Sequence, residues 1–137
     1  MRPLRLASLL CILAVSTRAG SATTDNRFTK SGGEITDKVT GLVWLAADTS
    51  AAVTWPSRAC PATYRVPKAA ELVSIVDYRI GASNGVTADP IFNLVYAAYW
   101  SNDQAGAGAS NAWVVDFSGG GTSSTTQSST LHLRCVR

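Results

Sequence analysis

Apolar and polar positions alternate in short bursts along most of this chain, the mark of half-buried strands. In NRFTKSGGEIT, Phe28 precedes the turn residues Ser31-Gly32-Gly33 and Ile35 follows them, which predicts a hairpin. Gly41 marks a further turn, and Leu42–Leu45 a short buried strand. AAYWSND and NAWVVDFS predict two more strands, separated by a small-residue loop from Gln104 to Ser110. In the second of these, Trp113, Val115 and Phe117 alternate with Ala112, Val114 and Asp116, and Trp113 is assigned to the core together with Trp44. The terminal LHLRCVR alternates again: Leu131, Leu133 and Cys135 on one face, His132, Arg134 and Val136 on the other.

Helical spacing occurs once. After Pro67, which is tolerated in a first helical turn, Leu72, Ile75 and Val76 recur three and four apart, predicting one main helix over about 67–78. Upstream, WPSRACPATYRVP is broken by Pro56, Pro61 and Pro67 and excludes a long helix. GASNGVTADPIF predicts a loop in which Asp89-Pro90 starts a turn or short helix. GGGTSSTTQSST, from Gly119 to Thr130, fits either a flexible loop or an exposed, threonine-rich strand. Short, mostly antiparallel strands, one helix and long loops predict a single α+β domain.

The first residues alter the charge and cysteine accounts. MRPLRLASLLCILAVSTRAGSA has a basic start, an apolar run from Leu6 to Val15 and then small residues, so residues 1–22 are assigned to a signal peptide and 23–137 to the exported domain. Cleavage fits after Ala19 or after Ala22. The apolar run is about 10 residues, short of the ~20 a membrane span needs. The whole chain carries 12 Lys and Arg against 9 Asp and Glu. Arg2, Arg5 and Arg18 leave with the leader, which takes the net charge from +3 to zero. Zero net charge argues against a nucleic-acid-binding body. Cys11 also leaves, so Cys60 and Cys135 remain in an oxidising compartment, where they allow one internal disulfide. Two buried thiols or intermolecular links are the alternatives. A bridge would pin the last strand to the middle of the fold.

Little catalytic chemistry is legible. One histidine, His132, lies in a strand, and no nucleophile–base pair stands out. Oxidised cysteines offer no thiolate. Asp77, Asp89, Asp103 and Asp116 show no spacing that selects an acid/base pair. Ser101–Gln104, Asn111 and Asp116 are oxygen-bearing and could converge in one loop, but without a regular calcium-ligand spacing, so no metal is assigned. No phosphate-binding loop is present, and no cofactor is predicted.

Binding chemistry is better represented. Tyr96, Tyr99 and Trp100 fall together, and a tryptophan exposed beside polar amides is suited to stacking on a sugar ring. The alternative places Tyr99 and Trp100 in the core sheet. Arg58, Arg65 and Lys68 bracket Cys60, and Arg134 and Arg137 bracket Cys135. A disulfide would gather them into a five-cation patch suited to a sulfated or carboxylated glycan. Arg65 also fits a structural ion pair.

In order, RF…G…ITDKVTGLVW, YRVPKAAELVSIVDY, DPIF, YWSND, AWVVDFSGG and LRCVR resemble the C-terminal domain of the Legionella collagen-like adhesin, a widespread bacterial domain, over about residues 26–137. The resemblance implies a C-type-lectin-like variant: one α+β domain whose ends meet in a small sheet and whose long loops carry the ligand surface. The family's usual WRLP appears here as Tyr64-Arg65-Val66-Pro67. The helix that many members have after the first Trp-containing strand has only Val53 to Ala59 available, interrupted by Pro56. The resemblance also implies an exported, non-enzymatic, adhesin-like domain that recognises a glycan, acidic polysaccharide or cell-surface ligand. The expected ligand residues are Arg65, Trp100, Asn102, Asp103, Asn111, Asp116 and Arg134. The alternatives are a structural or protein–protein module of the bacterial envelope, one form of which self-associates through the Ser/Thr-rich segment, and an enzyme of formylglycine-generating or other type. A lone tied cysteine pair argues against the last.

Overall fold

The computed structural model describes residues 26–47, 51–80 and 85–137; the signal-peptide assignment to residues 1–22 lies outside them. Six strands form two three-stranded antiparallel sheets. The first sheet is β1 (Phe28–Ser31), β2 (Glu34–Asp37) and β3 (Val43–Leu45), in that order. Gly32 and Gly33 hold φ of 60° and 116° in the two-residue turn between β1 and β2. Only glycine adopts both at low cost, which is why the hairpin turns there. The second sheet is β4 (Ala98–Gln104), β5 (Asn111–Asp116) and β6 (Gly121–Thr126). Of the two forms open to the Ser/Thr-rich segment, residues 121–126 take the strand.

The C-terminal segment joins the two sheets. Val43 and Arg137 exchange backbone hydrogen bonds at 2.9 Å each way, and Leu45 N donates to Cys135 O at 3.0 Å. On its other side the tail meets β4: Trp100 N donates to His132 O at 2.9 Å, and His132 N to Ala98 O at 3.2 Å. Val53 pairs with Leu131, and Arg65 pairs with Val136. The tail is therefore an interior strand with partners along both edges. The Cys60–Cys135 disulfide, with Cα atoms 5.7 Å apart, closes this seam covalently.

Because the seam is interior, its two faces are both covered. Leu133, Arg134, Cys135 and Val136 are all buried. Val136 joins one apolar cluster with Ile35, Trp44, Leu72, Phe92, Tyr99, Val115 and Phe117. Leu133 and Cys135 join a second with Trp100, Ala112 and Val114. Adjacent residues Val114 and Val115 thus serve different clusters, so the sheet has a core on each face.

The helix is shorter than the spacing predicts. α1 spans Ala69–Ser74 rather than 67–78. It starts where Glu71 reaches back to accept from Lys68 N at 2.7 Å and Asp103 Oδ2 accepts from Ala69 N at 2.8 Å. It stops because Val76 bridges to Ala88 and Asp77 N donates to Thr87 O at 2.8 Å, an extended pairing that β-branched Ile75 and Val76 favour. Pro90–Phe92 forms one 3-10 turn capped by Asp89, whose carboxylate accepts from Ile91 N at 2.9 Å. Trp55–Ser57 is likewise a single 3-10 turn.

Asp37 anchors the first sheet. Its carboxylate accepts from Arg27 at 2.8 and 2.6 Å, from Thr40 Oγ1 at 2.7 Å and from Val39 N at 3.0 Å. Burial pushes its pKa up, but the bonds from Arg27, Thr40 and Val39 outweigh this and hold it at about 2, below the ordinary 3.8. Since the folded-state value is the lower one, this contribution is present above pH 3.8 and is lost as pH falls through about 2. Acid titration of unfolding should show a loss on the order of 2 kcal/mol across that window, and Asp37→Asn should flatten it. Reducing the disulfide, which bridges residues 75 apart, should lower the unfolding free energy by about 4 kcal/mol in denaturant titrations with and without reductant.

Candidate functional site

Folding engages most of the expected cation patch in internal contacts. Arg65 is held by Glu71 through two hydrogen bonds of 2.7 Å, which lower the Glu71 pKa. Arg137 forks onto Glu34 at 2.7 and 2.9 Å, and Tyr64 donates to the same carboxylate. The Tyr64 hydroxyl and the Arg137 guanidinium together depress the Glu34 pKa. Arg134 is fully buried: Nη1 donates to the carbonyls of Leu45 and Ala46 at 3.1 Å each, and Nη2 to that of Phe92. It is a structural strut between the first sheet and the Pro90–Phe92 turn, not an accessible ligand group. The alternation of LHLRCVR placed it opposite Cys135, but the covered seam leaves that face no solvent.

Arg58 keeps a different company. Its guanidinium lies 3.3 Å from the centroid of the Trp55 ring, donates to Trp55 O, and reaches Asn102 Oδ1 at 2.8 Å. No carboxylate bonds it among the described residues. Burial beside the ring pushes its pKa down.

Trp100 is also corrected. It is fully buried, and its indole Nε1 donates to Val53 O at 2.7 Å, so it belongs to the core and offers no face to a sugar. Tyr99 is buried with it, its hydroxyl accepting from Val95 N at 3.0 Å, while Tyr96 is exposed. The polar candidates do not converge. Asn102 and Asp103 lie at one end of β4, beside α1, where Asp103 caps Ala69 and Asn102 holds Arg58. Asn111 starts β5 near that end. Asp116 pairs with Ala98 at the opposite end of the sheet, five residues or about 17 Å along the strand, and its carboxylate accepts from Ser118 N at 2.8 Å in the turn. Among the described residues no three His, Cys, Asp or Glu side chains gather as a metal site would require.

What the sequence pattern assigned to the core, the structure exposes. Trp113 is 39% accessible. It shares a face with Val115, but Leu72 and Ile75 of α1 pack with Tyr99 and Val115 and leave Trp113 outside their buried cluster. Trp113 sits opposite Ser124 on β6, flanked by the pairs Asn111–Thr126 and Val115–Thr122. Thr122, Ser124 and Thr126 are exposed. On its β6 side the indole is thus bordered by hydroxyls, with the amide of Asn111 at the start of its own strand. The sheet below it is fixed: Ser101 Oγ donates to Trp113 O at 2.8 Å, and Gln127 Nε2 bonds Ala109 O at 2.9 Å. At the other end Tyr78 Oη donates to Gly120 O at 2.9 Å, and a Cβ on Gly120 would meet Tyr78 Cε1 at 2.5 Å.

Cys60 and Cys135 are committed to the disulfide. His132 lies against Tyr99, with ring centroids 5.4 Å apart, inside the seam. No nucleophile–base pair is assembled among the described residues. The exchange of roles between Trp100 and Trp113 is checked by fluorescence. Trp113→Phe should remove most of the acrylamide-quenchable emission and leave the unfolding midpoint nearly unchanged. Trp100→Phe should leave the quenchable fraction intact and cost about 1–2 kcal/mol of stability, through the lost bond to Val53 O.

No curated protein matches this chain. A family model, the Lcl C-terminal domain, matches residues 33–137, from the β1–β2 turn through both sheets to the disulfide-linked tail. That span contains the tail seam, the disulfide and the Trp113 face, and the chain belongs to the Lcl C-terminal domain family.

Proposed function

We propose that this chain is an exported, non-enzymatic binding domain of the adhesin type, that its ligand is a glycan, and that the ligand surface is the Trp113 face of β5 and β6. One observation carries this reading: an exposed tryptophan on a rigid sheet, ringed by Asn111, Thr122, Ser124 and Thr126. The apolar face of an indole stacks on the C–H face of a pyranose, and neighbouring hydroxyls and amides satisfy the sugar's own hydroxyls. The family membership supports an adhesin-related role. The disulfide favours an oxidising compartment, and no described helix is long and apolar enough to cross a membrane. The lectin-like architecture implied by the family resemblance is consistent with the joining of the first sheet to the last residues.

Structure shifts the weight from acidic to neutral glycans. Arg65 and Arg137 are engaged by Glu71 and Glu34, and Arg134 is buried. On an array of neutral and sulfated glycans, the folded domain should retain neutral sugars, and Trp113→Ala should weaken that binding at least about tenfold, equivalent to 1.4 kcal/mol. Arg65→Ala should bind as the parent does. A blank array would contradict the reading. So would salt-sensitive retention on heparin that survives Trp113→Ala and disappears with Arg65→Ala.

A further inference from the structure

The edges of the two sheets are treated differently. β3 and β4 have their outer sides occupied by the C-terminal tail. β1 is an exposed edge, but it is four residues long and carries Lys30, with Arg27 and Lys38 beside it. Lysine on a short strand is how natural sheets discourage pairing with another chain. β6 has neither protection. It is six residues long, pairs with β5 in unbroken register, and is exposed on both faces apart from the half-buried Thr125. From Gly119 to Thr130 there is no charged residue and no proline.

The direction of its free groups follows from the ladder. Gln127 N donates to Ser110 O at 2.8 Å, so that pair is a hydrogen-bonded one. Antiparallel ladders alternate, so Thr125, Ser123 and Gly121 also bond toward β5. Thr122, Ser124 and Thr126 therefore turn their N–H and C=O groups outward. Thr126 O is taken by Ser129 N at 2.9 Å, which leaves Thr122 and Ser124 as a complete outward set.

We infer that β6 pairs with β6 of a second copy of this chain, antiparallel about a two-fold axis at Ser123, to form one continuous six-stranded sheet. That register uses the free groups fully: Thr122 and Ser124 of one copy exchange backbone bonds with Ser124 and Thr122 of the other. It sets Ser123 against Ser123 and Gly121 against Thr125. Every non-glycine pair is hydroxyl against hydroxyl, a favourable cross-strand combination, and no like charges meet. A charged or apolar peptide would find no complementary group on this edge, whereas a second copy matches it residue for residue. Both Trp113 side chains then lie on the same face, separated by three strand spacings and a two-residue offset, roughly 15 Å. A repeating ligand would meet two platforms at once and gain avidity without new contacts. The pairing itself stands independently of the glycan reading.

The test uses engineered cysteines and sedimentation on the folded protein. Ser123 faces itself across the axis in a non-hydrogen-bonded pair, the closer of the two pair types. Under mild oxidation Ser123→Cys should form a covalent dimer at least about tenfold faster than Thr29→Cys on the guarded β1 edge. The parent should show concentration-dependent association by sedimentation. Thr122→Pro, which removes an outward N–H and no bond to β5, should shift it to monomer without altering the unfolding midpoint. Trp113→Ala should dimerise as the parent does. A parent that stays monomeric into the millimolar range, or Ser123→Cys cross-linking no faster than Thr29→Cys, would overturn the inference.

Discussion

Everything in this fold hangs on the seven-residue tail between the two sheets. Without it the two three-stranded sheets have no shared strand between them. With it, β3 and β4 gain a shared neighbour, and the backbone groups on their outer sides find partners. Tails ordinarily fray because the last residues gain little for the entropy they lose. Here the cost is offset three ways: ladder bonds on both sides, burial of Leu133, Cys135 and Val136, and the link to Cys60. Arg134 adds a fourth tie, bonding the carbonyls of Leu45, Ala46 and Phe92.

That seam also decides what is left for function. By covering the outer side of β4, it buries Trp100 and spends the candidate cation Arg134 on structure. Elsewhere in the same sheet the chain leaves Trp113 accessible beside a strand of serines and threonines. The proposed ligand surface is thus rich in hydroxyls, while the cations nearest the disulfide are largely balanced by Glu34 and Glu71. A platform of this kind discriminates by stacking and hydroxyl geometry more than by charge.

Local signals in the sequence predict local structure well. The Gly32-Gly33 hairpin, the strands around Trp44, Trp100 and Trp113, the Asp89-Pro90 turn and the Cys60–Cys135 pair are each visible from a few residues. What the pattern missed are matters of which side is covered, and by what. Alternation puts Trp113 on the face of Val115, but only the packing of distant residues decides which part of that face is covered, and Trp113 stays 39% accessible. Alternation puts Arg134 opposite Cys135, yet an interior strand has no outward face. The helix itself was overextended because Leu72, Ile75 and Val76 keep helical spacing while Val76 answers to a distant partner, Ala88. In each case a contact far along the chain overrides a local preference. The β-branched run at Ile75-Val76 is the one local hint that the helix would stop early.

The claim that the tail is the interior seam is tested most directly by native-state hydrogen exchange. The account predicts that the amides of His132, Val136 and Arg137 exchange as slowly as those of Trp100, Val43 and Leu45, all through global unfolding. Tail amides that exchange orders of magnitude faster while β4 and β5 stay protected would contradict it. The tail would then be an attached end rather than the strand on which both sheets depend.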